Sequence, residues 1–183
     1  MYINMVQLAQ YYDSRNPRGL IVSEKFDGIR ALWNGTDFLT RNGRIIDVPA
    51  YFKADMPSFE VDGELWCGHG NYGLAQGMTK GGTIHQGWDT GVFMAFDLPT
   101  VRASFADRLK ELNQIKPTET MAIVEHTTIT SARHLKDWYH HIIANGGEGL
   151  MLRNPDARYC RSRTTNLLKL KPSNEWAITG IAA

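Results

Sequence analysis

The stretch Gly19-Leu-Ile-Val-Ser-Glu-Lys-Phe-Asp-Gly-Ile-Arg-Ala-Leu-Trp-Asn34 contains two apolar runs separated by a short polar break. This pattern predicts a buried strand ending at Lys25 and a second strand beginning at Arg30. The dipeptide Asp27-Gly28 between them is typical of a tight turn. Strand alternation places Lys25 and Asp27 on one side, and the turn brings Arg30 back toward them. Charged side chains are therefore expected to meet where the first strand ends.

Shorter apolar runs on both sides of this stretch extend the pattern. Ser104 and Ser131 are suited to cap two helices, since a serine oxygen accepts a hydrogen bond from the first turn. Residues 68–91 are rich in glycine and predict long loops with a short helix. Further strands are predicted at residues 38–40, 59–66, 91–98, 121–125, 150–153, 167–171 and 176–181. Many strands with two inserted helices indicate an α+β fold with largely antiparallel sheets.

The composition is that of a folded protein. The chain has 183 residues and a hydrophobic fraction of 43%, which favours one domain spanning 1–183. Cys67 and Cys160 are too few for a disulfide scaffold, so we expect a reducing compartment. Residues 1–10 do not resemble a signal peptide, and no apolar run is long enough to span a bilayer. We therefore expect a soluble, cytoplasmic monomer. No glycine-rich turn leads into a helix, which excludes a dinucleotide-binding doubly wound fold.

Lys25 is the first candidate for chemistry. Most strand-terminal lysines are surface residues, and a lysine is a nucleophile only when neutral, which is rare with an ordinary pKa of about 10.4. Nearby cations and partial burial favour the neutral amine. Lys169 and Lys171 share one face of a predicted strand because Leu168 and Leu170 alternate with them. The two are either solvated lysines of an edge strand or a pair of ammonium groups directed at a triphosphate.

Acidic side chains form a second group of candidates. Glu60, Asp62 and Glu64 alternate along a predicted strand, and carboxylates on one face repel unless cations or sugar hydroxyls share that face. Glu64 is placed to bind a ribose hydroxyl or a hydrated metal, although a solvated edge also explains the pattern. Glu148 lies between two glycines, which permit close approach of a ligand, and its oxygens suit Mg²⁺. Phe96 is either a core residue or a stacking surface for a purine.

A basic segment extends from Arg153 to Lys171, although the net charge of the whole chain is only +1. Asp156 is the only acidic residue in it. Such a segment either binds phosphate groups locally or forms a solvated face. Its basic residues are Arg153, Arg158, Arg161, Arg163, Lys169 and Lys171.

Several of these candidates belong to six short segments of the sequence. They are Lys25-Phe-Asp-Gly-Ile-Arg30, Arg41-Asn-Gly43, Asp62-Gly-Glu64, Phe93-Met-Ala-Phe-Asp97, Glu148-Gly-Leu-Met-Leu-Arg153 and Leu168-Lys-Leu-Lys171. In this order they resemble the motifs of the covalent nucleotidyltransferase superfamily, which comprises DNA ligases, RNA ligases and mRNA capping enzymes. One such motif alone is weak, whereas six in the family's order over nearly the whole chain are specific. The longer strings around them look like the small ATP-dependent DNA ligases of bacteria and their phages.

The resemblance implies catalytic roles for the basic positions. Lys25 would form a phosphoramide with AMP, and Lys169 and Lys171 would grip the α-phosphate. Arg30 and Arg41 would contact the nucleotide's ribose and phosphate, or the 5′-phosphate at a nick. The residues implied in nucleotide binding are Glu24, Lys25, Arg30, Glu64, Phe96, Glu148, Lys169 and Lys171.

The remaining implied roles concern the base, the metal and DNA. Glu64 would hold the ribose, and Phe96 would stack on adenine. Glu148 would help to bind Mg²⁺, with Glu64 as a second metal candidate. The residues expected to contact nicked double-stranded DNA are Arg41, Arg153, Arg161 and Arg163.

The reaction that the resemblance implies has three steps. The enzyme takes AMP from ATP, transfers it to the 5′-phosphate of a DNA nick, and promotes attack by the 3′-hydroxyl with release of AMP. The implied fold is a nucleotidyltransferase (ATP-grasp-like) domain with sheets flanked by helices. Two alternatives remain open: an RNA ligase or GTP-using guanylyltransferase, and a truncated module that binds nucleotide or nicks without turnover.

One departure concerns the C-terminal end of the chain. Relatives of this kind usually continue into an oligonucleotide-binding (OB) barrel, and here the sequence stops at Ile181-Ala-Ala183. The expectation is a catalytic domain without its C-terminal OB barrel, with slow adenylation by free ATP.

Overall fold

The computed structural model describes residues 4–179 and Ile181, and places two sheets with helices around them. The strands are β1 (Leu8–Tyr11), β2 (Ile21–Glu24), β3 (Ile29–Trp33), β4 (Phe38–Thr40), β5 (Val61–Trp66), β6 (Val92–Asp97), β7 (Met121–Ile123), β8 (Thr127–Thr128), β9 (Leu150–Arg153) and β10 (Arg163–Leu170). The helices are α1 (Ala50–Lys53), α2 (Tyr72–Lys80), α3 (Phe105–Leu112), α4 (Ala132–Ala144) and α5 (Trp176–Thr179). Short 3₁₀ turns cover Gln86–Asp89 and Pro172–Asn174.

Each sheet has five strands, and most neighbouring strands are antiparallel. The first sheet has the order β1-β10-β9-β2-β8, and the second has the order β4-β3-β5-β6-β7. Only the pairs β1–β10 and β6–β7 are parallel among the described strands. The predicted α+β class with largely antiparallel sheets is therefore confirmed.

The chain passes from the first sheet to the second between β2 and β3. The expected turn at Asp27-Gly28 does not close a hairpin, because β2 pairs with β8 and β9 whereas β3 pairs with β4 and β5. A Cβ on Gly28 would lie 2.3 Å from the backbone oxygen of Leu65, so only glycine fits this close approach to β5. The crossing places Lys25 at the end of one sheet and Arg30 at the start of the other.

The two helices for which the sequence predicts a serine cap begin where expected. Ser104 and Ser131 are the N-caps of α3 and α4, and each side-chain oxygen accepts a hydrogen bond from a first-turn backbone N–H. The apolar faces of these helices pack toward the sheets, with Leu112 and Leu135 fully buried. The helices thereby close the outer layers of the fold.

Each sheet has its own hydrophobic core. The larger core packs around β3, β5 and β6 with α2, and includes Phe93 and Trp88. The second core packs between β2, β9, β10 and α4, and includes Leu152 and Tyr139. Because each sheet is stabilised on its own apolar face, polar side chains can occupy the space where the two sheets meet.

The C-terminal prediction was wrong. A strand was expected at residues 176–181, but Trp176–Thr179 forms α5, with Ala177 and Ile178 buried against the second core. Gly180 of that predicted strand lies outside the described residues, as do residues 1–3 of the segment compared with a signal peptide. The sequence also did not predict β1, α1 or β8, and it treated α2 only as a short helix within loops. No helix in the described residues is long and apolar enough to cross a membrane.

Candidate active site

A cleft of about 250 Å³ opens where the two sheets meet, at the crossing between β2 and β3. Strands β1, β2, β9 and β10 of the first sheet and β3, β5 and β6 of the second contribute to its wall. The residues that line it are Leu8, Ala9, Ser23, Glu24, Lys25, Phe26, Arg30, Arg41, Glu64, Phe96, Met151, Arg153 and Lys169. Eight of the residues predicted from the sequence are therefore brought together: Glu24, Lys25, Arg30, Arg41, Glu64, Phe96, Arg153 and Lys169.

Lys25 makes a direct ion pair with Glu148. Its Nζ donates to Glu148 Oε2, and the side chains are 23% and 22% exposed respectively. The other carboxylate oxygen of Glu148 accepts from Lys171 Nζ at 3.2 Å. Two lysines predicted from distant segments thus share one carboxylate. The sequence led us to expect cations beside Lys25, whereas the group in direct contact with its amine is the Glu148 carboxylate.

The position of Glu148 depends on the glycine that follows it. Gly149 has φ +152°, and a Cβ there would lie 2.1 Å from the backbone oxygen of Leu170. The backbone carbonyl of Gly149 also accepts a hydrogen bond of 2.8 Å from the backbone N–H of Lys25. The close packing of β9 against β10 and β2 therefore fixes Glu148 beside Lys25.

Arg30 and Asp62 form a bidentate ion pair across β3 and β5. Arg30 Nε donates to Asp62 Oδ1 and Nη2 donates to Asp62 Oδ2, each at 2.7 Å. The Asp62 side chain is fully buried, whereas that of Arg30 is 21% exposed and lines the cleft. A buried carboxylate requires such a partner, so Asp62 fixes the direction of the guanidinium.

Glu64 lies beside this pair and faces the same cleft. Burial raises the pKa of Glu64 to about 7, although the nearby cations Arg30 and Lys25 act in the opposite direction. Its carboxyl group therefore changes protonation near neutral pH. In either state it offers a hydrogen-bonding group to a ligand in the cleft.

Phe96 contacts two guanidinium groups at the end of β6. The Cζ atoms of Arg30 and Arg153 lie 4.7 and 5.1 Å from the centre of its ring. Arg153 was predicted to contact DNA, but the residue is only 4% exposed, and its Nη1 donates to Asp97 Oδ2 at 3.1 Å. Phe96 thus supplies an aromatic surface in the cleft between two cations.

Asp97, which follows Phe96 at the end of β6, forms a buried ion pair with Arg108. Arg108 Nε donates to Asp97 Oδ1 at 2.7 Å, and Arg108 Nη1 donates to the backbone oxygens of Ala103 and Ala157. Both charged residues are 1% exposed. This network connects the end of β6 to α3 and to the loop after β9.

Two further predicted residues, Lys169 and Glu24, have partners at the edge of the cleft. Lys169 Nζ lies 4.3 Å from the ring centre of Tyr11, its register partner in β1. Glu24 Oε1 lies 2.6 Å from Nε2 of His69, so the end of β2 is joined to the loop after β5. Both contacts lie on residues that line the cleft.

The other predicted DNA contacts divide between the cleft and the surface. Arg41 lines the cleft. Arg161 pairs with Glu60 at 2.6 Å, and Arg163 donates to the backbone oxygen of Ala9. Both of these arginines are exposed in the segment that precedes and begins β10.

The carboxylates fit a substrate-bound magnesium ion better than a preformed metal site. No cluster of three or more His, Cys, Asp or Glu able to hold a metal occurs in the part of the chain that the structure describes. Magnesium is usually bound through one or two carboxylates together with substrate phosphates and waters. Glu148 and Glu64 each supply one such carboxyl group near the cleft.

Sequence reasoning missed the residues that support the site from behind. Asp97 belongs to a recognised segment but received no role, and neither Arg108 nor Tyr159 was singled out. Tyr159 donates to Asp62 Oδ2 at 2.6 Å, and burial raises the pKa of its hydroxyl, with Asp62 adding to the effect. An isolated arginine in a helix or tyrosine in a loop carries no local signal of burial, so only the fold could identify them.

Comparison with known proteins shows which family the chain resembles. A family model described as the ATP dependent DNA ligase domain matches residues 5–171. A DNA ligase of Haemophilus influenzae is 33% identical over 180 residues, covering 97% of this chain and 67% of that protein.

Solved structures agree with this match. One from a structure-function study of Lig E DNA ligases is 38% identical, with a TM-score of 0.83, and the match covers 91% of this chain and 68% of that one. A Chlorella virus DNA ligase-adenylate is 19% identical with a TM-score of 0.78, over 92% of this chain and 67% of that one, and shows the fold alone.

Proposed function

Since the chain belongs to the ATP-dependent DNA ligase family, we propose that Lys25 is the nucleophile that takes AMP from ATP. The Nζ of Lys25 forms a bond to the α-phosphorus, the bond from that phosphorus to pyrophosphate breaks, and the amine loses a proton. The product is a lysyl-AMP phosphoramide and free pyrophosphate. Residues 1–183 act together as one nucleotidyltransferase domain in this step.

Lysines around the nucleophile bind the triphosphate. Glu148 holds the Lys25 amine in place through Oε2 and is itself held by Lys171 through Oε1. When ATP enters, Lys169, which lines the cleft, and Lys171, which is paired with Glu148, contact the α-phosphate. Their positive charge stabilises the negative charge that builds on phosphorus during attack.

Side chains of the second sheet hold most of the nucleoside. Phe96 stacks on adenine, and Glu64 binds a ribose hydroxyl through a carboxyl group that exchanges its proton near neutral pH. Glu24 contacts the nucleotide from the end of β2. Arg30 reaches a phosphate with the Nη1 group that Asp62 leaves unused.

Magnesium would be held by Glu148, with Glu64 as the second carboxylate. When bound with ATP, the ion would neutralise phosphate charge and so favour attack on phosphorus. The residues of the chain need not form a complete metal site, because the phosphates supply ligands of their own.

Nicked double-stranded DNA is the second substrate. AMP passes from Lys25 to the 5′-phosphate at the nick, and attack by the 3′-hydroxyl then expels AMP. Arg41 contacts DNA phosphate at the cleft, and Arg161 and Arg163 do so from the adjacent surface. Arg153 lines the cleft and is held there by Asp97, so we assign it a contact with DNA inside the cleft.

The ion pair between Lys25 and Glu148 carries this proposal. It brings a lysine from the β2–β3 crossing together with a carboxylate before β9 and with Lys171 after β10. Separate parts of the sequence therefore supply one nucleophile and its charged partners at one cleft. A surface lysine would have no reason to be so placed.

A sealing assay tests the proposal. The protein is incubated with Mg²⁺ and either ATP or GTP labelled at the α-phosphate, then given a nicked DNA duplex with a 5′-phosphate. We expect protein labelling with ATP only, followed by sealing of the DNA nick. A second duplex, with RNA on the 3′-hydroxyl side of the nick, tests whether the protein joins DNA or RNA ends.

Two results would argue against nick sealing by DNA ligation. Labelling by GTP in place of ATP would identify a guanylyltransferase. Failure to seal even a pre-adenylated DNA nick at high protein concentration would leave only a binding module.

A further inference from the structure

Tyr159 belongs to a closed ring of hydrogen bonds behind the cleft. Its hydroxyl donates to Asp62 Oδ2 at 2.6 Å and accepts from the backbone N–H of Gln7 at 3.0 Å. The backbone oxygen of Gln7 accepts from Arg30 Nη2 at 3.1 Å. Arg30 then completes the ring through its two bonds to Asp62. Four separate parts of the chain are therefore joined in one ring that includes the Arg30 guanidinium.

The ring determines which hydrogen-bond donors Arg30 has left. A guanidinium has five N–H groups, and the Nε group and both groups of Nη2 are used by Asp62 and Gln7. The Nη1 group has no partner among the described residues. Because Arg30 lines the cleft, this group is the one available to an incoming anion.

The Asp62 carboxylate that fixes the guanidinium is itself held by the hydroxyl of Tyr159. It lies in a fully buried position and accepts from both Arg30 and Tyr159. Without the tyrosine hydroxyl, the carboxylate could rotate and carry the guanidinium with it. The Gln7 N–H would also lose its acceptor, so the second tie to Arg30 would loosen as well.

We propose that Tyr159 is a positioning residue, which directs Nη1 of Arg30 toward a phosphate of the nucleotide through Asp62 and Gln7. The inference depends on the proposed role of Arg30 in nucleotide binding. It assigns Tyr159 no contact with substrate. Displacement of a positioned group by about 1 Å is enough to reduce a rate by as much as 100-fold, so the effect should be visible in the adenylation rate.

The Tyr159→Phe substitution removes the hydroxyl and keeps the ring. We expect the single-turnover rate of lysyl-AMP formation, with saturating ATP and Mg²⁺, to fall at least about tenfold, as for loss of a hydrogen bond to a charged group. Tyr139→Phe is the matched control, since Tyr139 is 1% exposed and its hydroxyl has no hydrogen-bond partner in the described residues. The control should keep the wild-type rate.

A double-variant comparison separates positioning from a structural role. If Tyr159 acts through Arg30, then Tyr159→Phe should cause no further loss in protein that already carries Arg30→Lys. If the tyrosine only supports the folded structure, Tyr159→Phe should reduce the adenylation rate by the same factor in both backgrounds. Asp62→Asn gives a second variant with the same expected coupling, in case Tyr159→Phe does not fold.

A rate reduction by the same factor in both backgrounds, or no reduction in either, would overturn the role of Tyr159. Neither result would affect the proposed function, provided that wild-type protein still forms lysyl-AMP. Absence of the adduct in wild-type protein would instead be a failure of the proposed function.

Discussion

At the scale of single residues, the candidate site is defined by charged groups that share partners. Glu148 holds Lys25 and Lys171, while Asp62 holds Arg30 and Tyr159. Each carboxylate accepts from two side chains, so the positions of its two partners are coupled. This arrangement fixes the charged side chains at and beside the cleft.

Phe96 gives a prediction at this scale. Phe96→Ala should weaken nucleotide binding by about 1–3 kcal/mol, because the aromatic surface for the base is lost. The affinity is measured by calorimetric titration with an ATP analogue whose α,β-bridge is methylene, since it cannot transfer AMP.

Phe59→Ala is the control for this titration. Phe59 is 45% exposed and does not line the cleft, so its loss should leave the affinity unchanged. Equal affinity of the Phe96→Ala variant and wild-type protein would return Phe96 to a packing role.

Eight of the residues selected from the sequence line the cleft, but the sequence did not identify the buried residues that support them. The predicted residues that line the cleft lie in short segments with recognisable order, whereas Asp97 and Arg108 gain their importance from burial against each other. Arg153 illustrates the same limit. Its place in a basic segment indicated a surface contact, and only packing against Asp97 and Phe96 shows that it lies inside.

At the scale of elements, local pattern identified strands but not their sheets. The apolar runs around Asp27-Gly28 predicted two strands correctly, yet a hairpin and a crossing between sheets share the same turn dipeptide. The difference is decided by pairing with β5 and β9, which lie far away in the sequence. The C-terminal segment failed for a related reason: its apolar residues fit a buried helical turn as well as a strand.

The connection between β7 and β8 crosses between the sheets and gives a pH-dependent prediction. It contains His126, whose Nδ1 lies 2.8 Å from the backbone oxygen of Val124. Burial, with a further contribution from Arg153, lowers the pKa of His126 from 6.5 to about 4. As the pH falls, His126 is therefore protonated in the unfolded chain before it is protonated in the folded protein.

The resulting stability is present above pH 6.5 and is lost as the pH falls toward 4. Between pH 7.5 and pH 5, His126 should reduce the free energy of unfolding by about 2 kcal/mol. Urea unfolding at both pH values would show that His126→Gln loses less stability on acidification than wild-type protein does, by about this amount.

His141→Gln is the control for this measurement, because His141 is exposed on α4. It should follow the wild-type pH dependence. If His126→Gln also followed it, the buried histidine would not be what limits stability in acid.

At the scale of the whole molecule, two separately stabilised sheets create a cleft lined by both charged and apolar side chains where they meet. The β2–β3 crossing places the end of one sheet against the start of the other, and the loop before β9 brings Glu148 to the same point. The family assignment rests on matches over most of the chain. We propose that Lys25, among all the lysines of the chain, becomes bonded to AMP.

An intact-mass measurement after incubation with ATP and Mg²⁺, followed by peptide mapping, would identify the lysine that carries AMP. Lys53 provides the control, because it is also a partly buried lysine, 34% exposed and paired with Asp37 at 2.8 Å, but lies outside the cleft. We expect one AMP, mapped to Lys25, on wild-type protein and on Lys53→Ala, and no adduct on Lys25→Ala. An adduct of unchanged yield on Lys25→Ala, or mapped to another residue in wild-type protein, would show that Lys25 is not the nucleophile.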